Sequence, residues 1–180
     1  MIASMLGPAA LGLPLIKAGG QSGATLGHTT AWRGWAFARL GGASSAPVSV
    51  ATSGGGVLTS LSAGVAASYG MVLGMVRVTD SQQLFDGPGV RDNALLVGVR
   101  SRGDHLFGAG AVGIGQATPS ESSEAGTSYG TQQAAFAYDF SAHADYDVLG
   151  LALAVSGVVG PTKTSYVAVT LGVELGWFGP

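Results

Sequence analysis

The last regular segment of the chain alternates large apolar residues with small or polar ones, without a break, from residue 166 to residue 177. An alternation with a period of two places the two sets on opposite faces of a β-strand. The apolar face continues over 11 residues, which fits the roughly 9–11 residues of a tilted strand that crosses a membrane. The apolar set is Val167, Val169, Leu171, Val173, Leu175 and Trp177.

Charged residues are too scarce for an ordinary soluble domain. The 180 residues include 8 Lys or Arg and 10 Asp or Glu, a charged share of 10%, against about 25% in a typical soluble domain. A hydrophobic share of 47% excludes disorder, and the absence of a basic cluster excludes nucleic-acid binding. The chain has no Cys, which excludes a disulfide framework and thiolate metal sites. A surface that needs so little charge indicates contact with lipid.

A membrane span is either a helix or a closed barrel, because only these satisfy every backbone polar group internally. A helix needs about 20 consecutive apolar residues. The best candidate, residues 1–16, is broken by two glycines and two prolines and is followed by Lys17, so it is too short to span. We expect residues 1–28 to be a signal peptide, with Ser22 and Ala24 offering a cleavage site, or a disordered leader.

The same alternation predicts a single β-domain over residues 29–180. Tight turns alternate with longer polar connections at 43–54, 80–91 and 117–130, and the last link, 160–162, is short. Bacterial outer-membrane barrels have an even number of strands, short periplasmic turns and longer loops that face outside. The eight predicted strands are 31–42, 55–68, 70–79, 92–102, 104–116, 131–145, 147–159 and 163–178.

Residues 30–180 resemble the small eight-stranded outer-membrane barrels of the OmpA type. The last strand also resembles the assembly signal of that family, with Thr170, Gly172, Leu175 and Trp177 at its spacing. The resemblance implies an eight-stranded antiparallel up-and-down transmembrane β-barrel in a bacterial outer membrane. It also implies contacts with outer-membrane lipids and with the barrel-assembly machinery during biogenesis. We expect no cofactor, no metal site and no catalytic residue, and the sequence does not identify a partner for the loops.

Several of the few charged side chains fall on the polar faces of their strands. Buried charges persist only when they are paired and hydrogen-bonded, and eight strands leave an interior just wide enough for side chains. We therefore predict a salt-bridge network that plugs the lumen, with an ion or proton path as the alternative. On the first strand, two aromatic residues fall on the same face as the two arginines Arg33 and Arg39. These are Trp35 and Phe37, so the sequence does not determine which face of this strand turns inward. The predicted lumen network is Arg33, Arg39, Arg77, Arg100, Asp139, His143 and Glu174.

One strand face carries residue types that hydrolases use, namely Asp139, Ser141, His143 and Asp145. Positions two apart on a strand are about 6.6 Å apart. A bond between a nucleophile and its base would therefore need partners from other strands. The sequence predicts no catalytic site on this basis, and a lipid-modifying enzyme that uses His143 and nearby acids remains an alternative.

All three tryptophans are predicted near the periplasmic rim of the barrel. Trp32 and Trp177 would meet beside the seam between the first and last strands, in the aromatic girdle expected at a membrane interface. The main hypothesis is a structural or surface-interaction barrel rather than an open pore. The third hypothesis is a soluble lipocalin-like carrier, which would turn its polar face to water. The polar series is mostly Gly, Ala and Ser with few charges, which favours a lumen over a hydrated exterior.

Overall fold

The computed structural model describes residues 32–45, 57–83, 89–103, 105–123, 126–161 and 164–177. These residues form nine β-strand segments, and every pairing is antiparallel. No helix in this part of the chain is long and apolar enough to cross a membrane. The predicted leader, residues 1–28, lies outside the described residues. The strands are β1 (Trp32–Ser45), β2 (Val57–Tyr69), β3 (Val72–Gln83), β4 (Gly89–Arg100), β5 (Leu106–Ser123), β6 (Gly126–Tyr129), β7 (Gln133–Tyr146), β8 (Leu149–Val159) and β9 (Tyr166–Trp177).

Eight of these strands close into a barrel. Each pairs with the next in chain order, with β7 following β5, and β9 returns to pair with β1. The closing pair extends from Gly34 opposite Trp177 to Ser45 opposite Tyr166, so the seam is as long as the other ladders. The predicted fold class, an eight-stranded antiparallel up-and-down barrel, is confirmed.

The two ends of the barrel differ in how the strands are joined. At the end that we call the turn end, two-residue turns at Gly70–Met71 and Asp147–Val148 join β2 to β3 and β7 to β8. Gly70 and Asp147 have left-handed φ angles of 60° and 57°, which Gly adopts without strain and Asp tolerates. β1 begins and β9 ends at this same end, since Trp32 is paired with Tyr69. We call the opposite end the loop end.

The loop predicted over residues 117–130 is wrong, because most of it is strand. β5 continues to Ser123, and β6 pairs back on it from Ser120 opposite Tyr129 to Ser123 opposite Gly126. The sequence there is polar at almost every position. The alternation that marks a wall strand is therefore lost, while the backbone ladder continues as a hairpin at the loop end.

Two other predicted loops also overlap with strands. β3 extends to Gln83 and β4 begins at Gly89, so most of the predicted loop 80–91 is paired. β1 extends to Ser45, and most of the predicted loop 43–54 lies outside the described residues. In both cases backbone pairing continues beyond the last residues that show an apolar face, because the ladder does not depend on side-chain polarity.

The outer face of the barrel is apolar, whereas the interior holds the charged side chains beside apolar ones such as Leu73, Leu96 and Phe107. On β9, Val169, Leu171 and Val173 are 54%, 62% and 52% exposed, whereas Thr170 and Glu174 between them are 1% and 0% exposed. Large apolar side chains are exposed in the same way on every wall strand. A water-soluble barrel has the opposite arrangement, with polar side chains facing out. The faces therefore fit a barrel surrounded by lipid.

The ambiguous first strand turns both its aromatic and its basic residues inward. Arg33, Trp35, Phe37 and Arg39 are 5%, 3%, 4% and 1% exposed. Gly64 is paired with Phe37, and a Cβ on Gly64 would lie 2.6 Å from the Phe37 ring. The missing side chain thus makes room for an inward aromatic ring. Trp35 lies near the turn end, where it pairs with Gly176, but its side chain faces the lumen and not the membrane interface.

Candidate functional site

The centre of the lumen is an ion bridge that joins three strands. Arg39 on β1 donates from Nη1 to both oxygens of Asp139 on β7, at 3.1 and 3.0 Å. Arg77 on β3 donates from Nη1 to Oδ2 of the same carboxylate at 3.3 Å. The three side chains are at most 1% exposed. One carboxylate therefore binds two guanidinium groups from different sides of the barrel.

The Arg77 guanidinium extends this bridge to further strands. Its Nη2 donates to Asp92 on β4 at 3.2 Å and to the Gly157 carbonyl at 3.3 Å. Its Nη1 also donates to the Tyr138 carbonyl at 2.9 Å. The Tyr166 hydroxyl donates to Asp92 at 2.9 Å. Arg77 thus has partners on β4, β7 and β8, which suits the fixed fork of a guanidinium.

A second branch begins at Arg39 and continues towards the turn end. Arg39 Nη2 donates to Glu174 Oε1 at 3.3 Å, and its guanidinium lies 4.1 Å from the centre of the Phe37 ring. Glu174 Oε2 lies 2.7 Å from His143 Nδ1, and His143 Nε2 lies 2.7 Å from Ser141 Oγ. These contacts join Ser141, His143, Glu174 and Arg39 into one continuous chain of hydrogen bonds.

Aromatic rings hold the His143 imidazole in place. The Phe107 ring stacks on it with centroids 4.4 Å apart and planes 7° apart. The Trp35 ring meets it edge-on at 5.8 Å. His143 is 1% exposed. The imidazole therefore has a single orientation, with one nitrogen towards Ser141 and the other towards Glu174.

Two residues of the predicted network lie nearer the turn end. Arg33 donates from Nη1 to the Gly103 carbonyl at 3.0 Å. Arg100 donates from Nε to the Gly70 carbonyl at 3.2 Å, and its guanidinium lies 4.9 Å from the centre of the Phe107 ring. The structure thus places all seven predicted residues in the lumen, and five of them share the contacts described above: Arg39, Arg77, Asp139, His143 and Glu174.

Three further lumen residues were missing from the predicted network. Asp92, Asp145 and Tyr166 are 0%, 4% and 2% exposed. Asp92 was overlooked because it stands at the border of the predicted loop 80–91, although it shares the strand parity of Arg100. Tyr166 shares the strand parity of Glu174 on the last strand. The alternation of side chains along each strand is sufficient to place all three on the lumen face.

The expectation that Ser141 and His143 could not bond to each other is wrong. Both belong to β7, and their Oγ and Nε2 atoms are 2.7 Å apart. The backbone spacing of about 6.6 Å is bridged because the imidazole extends along the lumen towards the shorter serine. Side-chain reach thus outweighs the separation of the two Cα atoms.

Of the two tryptophans in the predicted aromatic girdle, the structure describes the side chain of Trp32. Trp32 is 60% exposed, and its ring lies 5.1 Å from that of Tyr69 on the neighbouring strand. The backbone of Trp177 is paired with Gly34 at the seam, and its side chain lies outside the described residues. Both tryptophans are therefore in the predicted strands at the turn end.

The predicted assembly signal lies on both faces of β9. Thr170 is 1% exposed and faces the lumen with Gly172, whereas Leu175 is 59% exposed on the outer face. A Cβ on Gly172 would lie 2.5 Å from Arg39 Cγ. Gly172 therefore also makes room for the central arginine, a packing reason for this glycine in addition to any role in assembly.

We expect Asp139→Asn to destabilise the barrel by about 1–3 kcal/mol, because Arg39 and Arg77 lose the counter-charge that they share and each retains one other carboxylate, Glu174 or Asp92. The control is Asp80→Asn, since Asp80 and Arg91 are partly exposed and 3.9 Å apart. That change should cost under about 1 kcal/mol. Urea unfolding in lipid vesicles, followed by tryptophan fluorescence, gives both values, and equal losses would contradict the central bridge.

No protein-family model and no curated protein sequence matches the chain. The structure is similar to that of neisserial surface protein A (NspA), with a TM-score of 0.59 and 9% identity over 80% of this chain and 96% of that one. It is similar to Ail, the attachment invasion locus protein of Yersinia pestis, with a TM-score of 0.55 and 9% identity over 81% and 98%. For the N-terminal β-barrel domain of Pseudomonas aeruginosa OprF, the values are 0.52 and 10% over 79% and 97%. The chain therefore has the fold of the small eight-stranded outer-membrane β-barrels.

Proposed function

We propose that the protein is an integral barrel of a bacterial outer membrane, with a lumen plugged by ion pairs and a structural or surface-interaction role. The observation that carries this proposal is the arrangement of its two faces. Exposed Val, Leu and Phe side chains surround the wall, while paired Arg, Asp and Glu side chains lie within it. Water outside would leave the apolar face exposed, whereas lipid covers it.

The central ion bridge supports the plugged lumen. Arg39 and Arg77 extend from β1 and β3 to meet Asp139 on β7, and the three side chains are at most 1% exposed. A path for hydrated ions would have to break these contacts and desolvate the separated charges, which is costly in a confined interior. The network is therefore better suited to closing the lumen than to conducting ions.

The partners proposed for such a barrel follow from its surfaces. Outer-membrane lipids would contact the apolar band, and the barrel-assembly machinery would act on the chain during insertion. The loop end, with the β5–β6 hairpin, is the part of the described chain that we assign to contacts outside the cell. The proteins of similar structure include a neisserial surface protein and the attachment invasion locus protein of Yersinia pestis, which agrees with a surface-interaction role.

We expect Val173→Glu to reduce outer-membrane insertion strongly, because it places a carboxylate on the lipid-facing side. Val173→Ala is the matched control and should insert normally. Density-gradient fractionation of cells, with immunodetection of the full chain, measures both. Wild-type protein in the soluble fraction would contradict the membrane proposal, as would normal insertion of Val173→Glu.

We expect the purified barrel to show no large, stable conductance in planar lipid bilayers, because the Arg39–Asp139–Arg77 bridge occupies the lumen. A trimeric porin in the same bilayer serves as the positive control. Steady openings of porin size from the wild-type protein would show that the lumen is open.

A second candidate function is hydrolysis of a lipid ester. The observation that favours it is the order Ser141, His143, Glu174, joined by two contacts of 2.7 Å, which is the order of a nucleophile, a base and an orienting acid. Two features oppose it. Ser141 is only 9% exposed, and its backbone is paired with Ala109 and Ala154 in the β5 and β8 ladders, so it provides no oxyanion hole.

We therefore expect no labelling of Ser141 when the folded barrel is treated with a fluorophosphonate probe. Ser141→Ala is the matched control, and the two proteins should give the same background by mass spectrometry. Labelling of the wild type that is lost in Ser141→Ala would favour the hydrolase instead.

A further inference from the structure

Three potential metal ligands meet inside the barrel near the turn end. They are His143 and Asp145 on β7 and Glu174 on β9, and one ligand atom from each lies within 4.8 Å of the others. Their exposures are 1%, 4% and 0%. The site lies in the lumen close to the Asp147–Val148 turn, and therefore close to the opening of the barrel at the turn end.

The side chain of Asp145 is the feature that points to a bound ion. Its side chain is 4% exposed, and neither Oδ1 nor Oδ2 has a hydrogen-bond partner. By contrast, both oxygens of Asp139 and both oxygens of Glu174 are bonded. A buried carboxylate without a hydrogen-bond partner is costly. Arg33 and Arg100 attract Asp145 electrostatically, and a bound cation would supply the direct bonds that its oxygens lack.

A glycine on the intervening strand keeps the space between the two carboxylates open. Gly150 on β8 is paired with Asp145 on one side and with Glu174 on the other. A Cβ on Gly150 would overlap Asp145 Oδ1 and would lie 3.4 Å from Glu174 Cβ. Any other residue would therefore fill the position between the acidic groups.

The contacts around the site already orient the ligand atoms. Ser141 Oγ holds His143 Nε2 at 2.7 Å, and Arg39 holds Glu174 Oε1 at 3.3 Å. These bonds leave His143 Nδ1 and Glu174 Oε2 facing each other at 2.7 Å. Metal-binding histidines usually have such a partner on the second ring nitrogen. A metal ion would take the place of the proton between Nδ1 and Oε2.

Two positive charges at this end of the barrel oppose a cation. Arg33 and Arg100 lie at the turn end, where they donate to the carbonyls of Gly103 and Gly70. Their fixed positions weaken the attraction between a cation and the two carboxylates. We therefore expect moderate affinity for a cation. The chemical identity of the ligand atoms, more than the total charge around the site, should determine which metal ion binds.

We propose that His143, Asp145 and Glu174 form a binding site for a divalent first-row transition-metal ion. One imidazole nitrogen and two carboxylate oxygens are a ligand set that Zn²⁺ accepts, with a fourth position left for water. Ca²⁺ takes six to eight oxygen ligands, more than these side chains supply. The site would brace β7 against β9 across β8.

Zinc titration of the folded, full-length chain tests this proposal, with a chromophoric chelator as competitor. We expect one Zn²⁺ per barrel. Asp145→Asn should weaken binding at least about tenfold, as loss of a group at a metal site does. Since the Asp145 oxygens accept no hydrogen bond from the described residues, this variant should fold. Gly150→Ala should weaken binding to a similar degree by filling the site, although it leaves all three ligands in the sequence.

The matched control is Asp147→Asn, which removes an exposed acid near the same end. This variant should bind Zn²⁺ like the wild type. Each variant is first checked for folding by its change in gel mobility on boiling, and either test variant alone is sufficient for the comparison. The proposal is overturned if the wild type binds no Zn²⁺, or if a folded Asp145→Asn or Gly150→Ala barrel binds it as tightly as the wild type.

Discussion

The interior of this barrel depends on one ion bridge, from Arg39 through Asp139 to Arg77. Burying three charges is favourable only when each finds a partner with good geometry, and here strands from different sides of the wall supply them. Small residues make that geometry possible, because Gly172 leaves space beside the Arg39 stem and Gly64 leaves space for the Phe37 ring. These two glycines thus serve the packing of large side chains in a narrow lumen.

The outer face follows from the same alternation that fills the lumen. In a strand, turning a charged side chain inward turns its neighbours outward, so the inward Glu174 places Val173 and Leu175 on the outer surface. Repeated around eight strands, this rule yields an apolar wall with its charges enclosed. An apolar wall of this kind is suited to a lipid surrounding, and the scarcity of charged residues in the sequence has the same cause.

Much of this arrangement was predictable from the sequence, because parity determines the facing of a strand residue. The facing of Arg77, Asp139 and Glu174 follows from the large apolar residues beside them. Parity does not determine which lumen residues meet, since that depends on strand tilt, register and side-chain rotamers. The bond from Ser141 to His143 and the β5–β6 hairpin were missed for related reasons: side-chain reach and backbone pairing leave no trace in the alternation.

The most direct test of the lipid-facing wall is nitroxide labelling of single cysteines on β9 in bilayers. The chain has no Cys of its own, so cysteines introduced at Val167, Leu171 and Leu175 would each carry the only label. These side chains are 37%, 62% and 59% exposed. The account predicts that oxygen, which concentrates in lipid, relaxes all three labels more than a water-soluble nickel complex, with the largest ratio at Leu171. Greater relaxation by the nickel complex at Leu171 would contradict it.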